Sequence, residues 1–285
     1  MATYVVSDIH GFYNTFLKLL DNIDFDMEKD TLYILGDLID RGPHSAEMLE
    51  WAMNAPENVH CLLGNHEDMA IPVLRDSLDD LIEPSMIWYN EPWSWNGGRE
   101  TFSALWEKFG ADGIAFRVLP WLKSLPLYFT IGINGKDILL VHAGIAINGA
   151  RMSDDYISSG RQDFIDIPRV GENWAQSLLW IRENWLYSNT PVPYDYVIFG
   201  HTRCNSGLMR DYVFWSKEDT DKCRKAVDNG KDTFVHIIGF DPAANGKVVE
   251  KIDIDTGYGS LGALRLDDMR EFYVSAEEEA KELGF

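Results

Sequence analysis

The sequence predicts an α/β layered fold, and three observations carry that prediction. Short apolar runs alternate with segments of helical period. No repeat, low-complexity tract or Pro/Gly-rich linker interrupts the alternation. Several apolar runs end directly in polar, glycine-bearing loops, as strands of an α/β sheet do where a ligand binds. With 285 residues, 46% of them hydrophobic, the chain can bury a substantial core.

The elements follow in chain order. Thr3-Tyr4-Val5-Val6 reads as a core strand, expected over Tyr4–Val6, and a helix-period segment runs over Thr15–Leu20. A second strand is expected at Leu32–Leu35, a helix at Ala46–Met53 and a third strand at Val59–Leu63. Arg99–Phe109 reads as a helix, Ile138–Val141 as a strand and Asn173–Trp185 as a helix. Strands at Tyr196–Phe199 and Val248–Ile254 precede a terminal helix after Ser275, which Ser275 and Glu278 would open as a capping box. We expect one domain over 1–285 with two additions. One, about 76–135, carries Trp88, Trp93, Trp95, Trp106 and Trp121, which could line a substrate groove or fill a core. The other, about 205–247, is polar and ends in a turn at Asp241–Gly246.

Charge narrows the partners. Forty-six acidic against twenty-five basic residues give a formal net charge of −21. Such a surface repels phosphate backbones and anionic membranes, so neither a nucleic acid nor a membrane is expected as partner. Cys61, Cys204 and Cys223 form no CxxC pair and are odd in number, against a disulfide framework or a structural zinc. No signal peptide or bilayer-length apolar run is visible, and a cytoplasmic location is the expectation.

The chemistry lies in five loops that follow strands: Ser7-Asp8-Ile9-His10-Gly11, Gly36-Asp37-Leu38-Ile39-Asp40-Arg41-Gly42, Gly64-Asn65-His66-Glu67, His142-Ala143-Gly144 and Gly200-His201-Thr202. Asp, His and Asn together offer oxygen and imidazole nitrogen, a donor mixture that suits Mn, Fe or Zn better than calcium. Asp8 and His10 are two apart, so an extended chain would point both side chains the same way. Asn65 and His66 are adjacent, so one can face a metal and the other the substrate. His44, His60 and His236 lie outside these loops and read as structural.

At these residues the chain resembles the phosphoprotein phosphatase family of calcineurin-like metallophosphoesterases, above all its bacterial and phage-type serine/threonine phosphatases. The blocks Asn96-Gly97-Gly98, Leu179-Trp180-Ile181-Arg182 and Ile254-Asp255-Thr256-Gly257 add to the likeness. Ser7 stands where the family has glycine, His142-Ala143-Gly144 follows the bacterial branch, and Arg203 stands where relatives often have proline. The resemblance implies a four-layer α/β/β/α sandwich of two mixed sheets flanked by helices. It implies two metal ions, manganese first with iron or zinc as alternatives. Asp8 and His10 would hold the first, Asp37 would bridge, and Asn65, His142 and His201 would hold the second. His66 would be the general acid, kept protonated by Asp40, while Arg41, Arg182 and Asn65 would bind the phosphate.

The implied activity is in-line attack of a metal-bridging hydroxide on a phosphomonoester. Two divalent ions bring +4 against −3 from Asp8, Asp37 and the hydroxide, leaving a centre able to attract a phosphate dianion. Phosphoserine or phosphothreonine in a protein is the expected substrate, with phosphotyrosine as a further one. Two alternatives stand beside it. One is symmetric hydrolysis of diadenosine tetraphosphate or another small nucleotide, with the aromatic stretch stacking on bases. The other is a non-catalytic binding scaffold, which the full set of ligands and acid disfavours.

Overall fold

The computed structural model describes residues 1–79, 92–145, 178–186, 192, 194–204, 234–238, 250–257 and 260–281. Ten strands form two five-stranded mixed sheets. The first is built from β1 (Thr3–Val6), β2 (Thr31–Ile34), β3 (Val59–Cys61), β9 (Ser260–Arg265) and β10 (Arg270–Ser275), in the order β10-β9-β1-β2-β3. The second is built from β4 (Tyr128–Ile133), β5 (Lys136–Val141), β6 (Tyr196–Phe199), β7 (Val235–Ile238) and β8 (Glu250–Asp253), in the order β4-β5-β6-β8-β7. Within each sheet three strands are parallel: β1, β2 and β3 in one, β5, β6 and β8 in the other. The remaining strands pair antiparallel at the margins.

Period-two alternation sorts the strand residues into layers. Val5, Ile138, Leu140, Ile198, Ile252 and Leu264 form a core with residues from both sheets. Their neighbours Tyr4, Val6, Leu139, Val141, Val197 and Phe199 turn instead into the cluster that contains the helices' apolar residues. A strand buried on both faces reads as an unbroken apolar run, which is why β1, β5 and β6 are visible in the sequence. The result is the expected α/β/β/α sandwich.

The helices cover these sheets through short apolar stripes. In α1 (Tyr13–Asn22) Thr15, Phe16, Leu19 and Leu20 are buried, and in α2 (Ser45–Met53) Ala46, Met48, Leu49 and Ala52. A helix not expected from the sequence, α3 (Asn65–Asp79), starts at the third polar loop and carries Pro72 inside it. Within the stretch 76–135, a kinked turn at Ser94–Gly98, with Gly97 at φ 98, leads into α4 (Arg99–Gly113) and α5 (Leu119–Ser124), and β4 closes an edge of the second sheet. Trp93 is buried there, Trp106 and Trp121 pack against the core, and Trp95 is exposed. Trp88, Cys223, the turn at Asp241–Gly246 and most of 205–247 lie outside the described residues.

Two local expectations are corrected. The described end of the helix expected over Asn173–Trp185 is broken at Ile181 and Arg182, and α6 (Glu183–Leu186) resumes after them. The terminal helix α7 (Glu277–Ala280) has Ala276, not Ser275, at its N-cap; the Ser275 hydroxyl accepts from the Glu277 N–H at 3.3 Å, and Glu278 pairs with Lys18 at 2.6 Å. Its Glu279 instead caps α1, accepting from the Thr15 N–H and hydroxyl at 2.8 and 2.7 Å. Among the described residues no helix is long and apolar enough to cross a membrane, and Cys61 and Cys204 are free thiols.

Candidate active site

All parallel strands deliver their carboxyl ends to one edge of the sandwich, where the polar loops meet. The loops after β1 and β2 are stitched together through the backbone: His10 N–H donates to the Asp37 carbonyl and Gly11 N–H to Leu38, both at 2.8 Å. Gly36, at φ +89, lies so close to the loop after β3 that a Cβ would sit 2.5 Å from Gly64 Cα. Only glycine fits that approach.

Backbone strain is concentrated here. Among the described residues nine non-glycine residues have positive φ, and six of them are Asp8, His10, Asp37, Asp40, Arg41 and His201. Each such residue costs about 1–2 kcal/mol. The chain leaves the extended conformation at once after β1, with Asp8 at φ 53 and His10 at φ 50. The expectation that an extended chain aligns these two side chains is therefore corrected; left-handed turns bring them together, His10 Nε2 lying 3.9 Å from Asp8 Oδ1.

The predicted residues form one connected cluster. Asp37 is central, its carboxylate oxygens 3.5 Å from His10 Nε2, 3.5 Å from His142 Nε2 and 3.9 Å from His66 Nε2. Asn65 Oδ1 lies 2.9 Å from His142 Nε2 and 2.8 Å from His201 Nδ1. Asp8 Oδ2 accepts from the His201 N–H at 3.0 Å and from the Ser7 hydroxyl at 2.5 Å, so the residue replacing the family's glycine supports a site carboxylate. Arg41 reaches His10 Nε2 at 2.6 Å, and Arg182 donates to the His201 carbonyl at 3.2 Å. His66 Nδ1 is 2.6 Å from Asp40 Oδ2.

Two of the three histidines outside the loops have partners elsewhere. His60 stacks on Tyr33, and His44 lies 3.7 Å from Glu279. The side chain of His236 lies outside the described residues.

The donor set fits metal ions. Two groups, His10–Asp37–His66 and Asp37–His142–His201, each bring ligand atoms within 4.8 Å of one another, and both use Asp37. The tautomers are set by carbonyls, which only accept: His10 Nδ1–H donates to Ile39 at 3.0 Å and His142 Nδ1–H to Leu35 at 2.7 Å. The Nε2 lone pair of each is thereby turned into the site, that of His10 accepting from the Arg41 guanidinium at 2.6 Å. At 2.9 Å the His142 lone pair faces an amide oxygen, two acceptors whose repulsion a cation relieves.

Burial sets the protonation. It pushes the Asp8 carboxyl up to about 6, with Asp37 adding to it, and pushes Asp37 itself up to about 7. Both shifts come first from burying negative charge, against which Arg41 acts at Asp37. Burial also holds His10, His66 and His201 well below the ordinary imidazole value, with Arg41 beside the first two adding its charge. Neutral imidazoles are what a metal requires. Burial raises Asp40 to about 8 while it lowers His66, so burial works against a charged pair here. The hydrogen bond of 2.6 Å between Asp40 Oδ2 and His66 Nδ1 orients the ring.

Three supporting residues make contacts that the sequence reading did not assign. Glu67 accepts four backbone N–H groups, from Asp37 and Gly64 on Oε2 and from Leu38 and Ile39 on Oε1, at 2.8–3.2 Å. Trp93 donates its indole N–H to Asp40 Oδ2 at 2.7 Å. Asp255, after β8, is buried, and its carboxyl is raised well above its usual range by burial and by Asp8. Its place in Ile254-Asp255-Thr256-Gly257 was the only signal for it.

Comparison with known proteins bears on the substrate. The chain is 34% identical over 154 residues to the symmetrical bis(5'-nucleosyl)-tetraphosphatase of Acidovorax ebreus (strain TPSY), covering 51% of this chain and 44% of that protein. It is 32% identical over 189 residues to the protein of the same name from Salmonella arizonae, covering 62% of this chain and 59% of that protein. The chain thus spans about half the length of the curated relatives it matches. A metallophosphoesterase from Sphaerobacter thermophilus aligns at a TM-score of 0.47 and 14% identity, covering 100% of this chain and 95% of that one.

The relatives correct the expectation of a serine/threonine protein phosphatase, since they are named for a dinucleotide substrate. Metal ligands and arginines grip any phosphoryl group alike, so the five loops could not distinguish the two substrates. The profile of the calcineurin-like phosphoesterase family matches residues 1–205, across all five loops, and the chain belongs to that family.

Proposed function

We propose that this chain hydrolyses dinucleoside polyphosphates, cleaving a bis(5'-nucleosyl) tetraphosphate symmetrically, with two divalent metal ions held at the sandwich edge. The observation that carries the reading is the pair of ligand groups sharing Asp37; in the first of them His66 is engaged by Asp40, and Asp8, 3.9 Å from His10 Nε2, takes its place as ligand. The names of the sequence relatives support the choice of substrate. Asp8 and His10 would hold one ion, Asn65, His142 and His201 the other, and Asp37 both; manganese is the first candidate, iron and zinc the next. Bound there, the ions would neutralise phosphoryl charge and lower the pKa of water toward neutrality.

The chain's own residues do the rest. Arg41 and Arg182 offer planar donors to the equatorial phosphoryl oxygens. Asn65 adds an amide beside them. His66 presents Nε2 to the leaving oxygen while Asp40 holds Nδ1. Arg41 and Arg182 are among the charges that depress His66. A phosphate anion lying between them cancels that repulsion and favours the imidazolium, so substrate arrival arms the acid.

The test is turnover of diadenosine tetraphosphate with Mn, Fe or Zn, the products being resolved by chromatography. Two equivalents of ADP per substrate, lost on chelation and in Asp37→Asn, are expected. Unchanged turnover in chelated enzyme, or no cleavage with any of the metals, refutes the reading.

A further inference from the structure

We propose that Trp93 is a positioning residue for proton donation, holding the Asp40 carboxylate so that His66 aims Nε2 at the leaving oxygen. The inference rests on the phosphohydrolase reading above and adds to it a residue 53 positions from Asp40 in the chain.

The geometry is specific. The indole Nε1–H donates to Asp40 Oδ2 at 2.7 Å, and the same oxygen lies 2.6 Å from His66 Nδ1. Asp40 sits at φ 73, a conformation that needs support, and its own N–H is held by the Ser45 hydroxyl at 2.9 Å. Trp93 is 1% exposed and Asp40 0%, so water does not replace the indole donor. The ring is itself held in place. A Cβ at Gly98 would lie 2.4 Å from the Trp93 ring, and one at Gly97, at φ +98, would lie 2.6 Å from the Arg41 nitrogen. Asn96-Gly97-Gly98 therefore lets one turn press on both the indole and the Asp40–Arg41 backbone.

Core filling is the simpler role for a buried tryptophan. It does not account for an indole N–H spent on the oxygen that orients His66, since a buried indole can be satisfied by any backbone carbonyl. The step being served is balanced. Water oxygen bonds to phosphorus and releases one proton to solvent, the bond from phosphorus to the leaving oxygen breaks with its electron pair on that oxygen, and that oxygen takes the proton from His66 Nε2, which solvent then restores. His66 keeps its Nδ1–H, hydrogen-bonded to Asp40 Oδ2, whose position Trp93 sets.

Proton donation matters in proportion to the basicity of the leaving group. The experiment compares the parent with Trp93→Phe, which keeps an aromatic ring in the site and removes the donor. Substrates are diadenosine tetraphosphate and a series of aryl phosphates from p-nitrophenyl to phenyl, at saturating metal. We expect kcat to fall about 10–100-fold for the most basic leaving groups and little for p-nitrophenyl phosphate or the dinucleotide, with KM unchanged. An equal loss across the series overturns the proposal and leaves Trp93 as packing. Metal-independent or absent turnover by the parent overturns the parent reading instead. The downfield Nδ1–H proton resonance of His66, assigned by its loss in His66→Asn, is a readout that needs no substrate. It should move in Trp93→Phe, and an unmoved resonance in a folded variant refutes the contact.

Discussion

Replacing Glu67 by Gln should destabilise this protein strongly although the two side chains have the same shape. The carboxylate accepts four backbone N–H groups, two on each oxygen, and these come from the Asp37–Ile39 loop and from Gly64. Glutamine keeps one oxygen and turns an NH₂ toward the other pair, so two buried N–H groups lose their acceptor. At about 1–3 kcal/mol for each unsatisfied group, the loss is about 2–6 kcal/mol. For a chain of this size that lowers Tm by roughly 5–20 °C. The same N–H groups hold Asp37 at φ 54, so strain there loses its restraint as well. Burial and the nearby Asp37 push the Glu67 carboxyl upward, while the N–H donors pull it down. A proton on either oxygen would face an N–H, and the ionised form is the one this geometry holds. The assay is thermal unfolding of chelator-treated protein at pH 7, so that metal loss cannot supply the shift. A melt within about 1 °C of the parent refutes the argument, because it would mean that the parent carries a proton there and the amide replaces it without loss.

Other outcomes follow from the same geometry. Asp8 and Asp37 titrate near 6 and 7 instead of 3.8, so in chelated protein the folded chain keeps protons that the unfolded chain has released. Their stabilisation is complete below about pH 4 and is lost as pH rises through 6 and 7. The gain in Tm on adding Mn should therefore grow from pH 5 to 8, and a constant gain contradicts it. Asp37→Asn should abolish that gain while raising the Tm of chelated protein at pH 8; a lower chelated Tm contradicts the burial argument. Lys251 is buried over the Trp185 ring, and burial lowers its pKa to about 7. Between 7 and 10.5 the unfolded chain holds the extra proton, so stability rises with pH by up to about 1.4 kcal/mol per unit. Lys251→Met should remove that slope in denaturant titrations at pH 7 to 10. Gly97→Ala forces a Cβ against the Arg41 nitrogen and should raise KM for diadenosine tetraphosphate about tenfold, a loss of about 1.4 kcal/mol in binding, with a smaller change in kcat.

The five loops were legible because each is a short segment whose residue types survive any tertiary arrangement. Asp8, His10, Asp37, Asn65, His66, His142 and His201 stand out as polar residues at the ends of apolar runs, and strands buried on both faces are the easiest to read. The β9–β10 hairpin was not read, since its alternation is weaker. The capping of α1 by Glu279 was out of reach, because its partners lie 264 residues apart. Glu67, Trp93 and Asp255 stood in motifs that had been seen, yet their roles depend on which atoms lie across a loop. The sequence by itself determined the layered class and the donor set, both encoded locally by alternation and residue type. Only the tertiary structure decided that left-handed turns bring Asp8 to His10, that one carboxylate holds the Asp37 loop and that an indole meets the dyad, because those are contacts between segments distant in the chain.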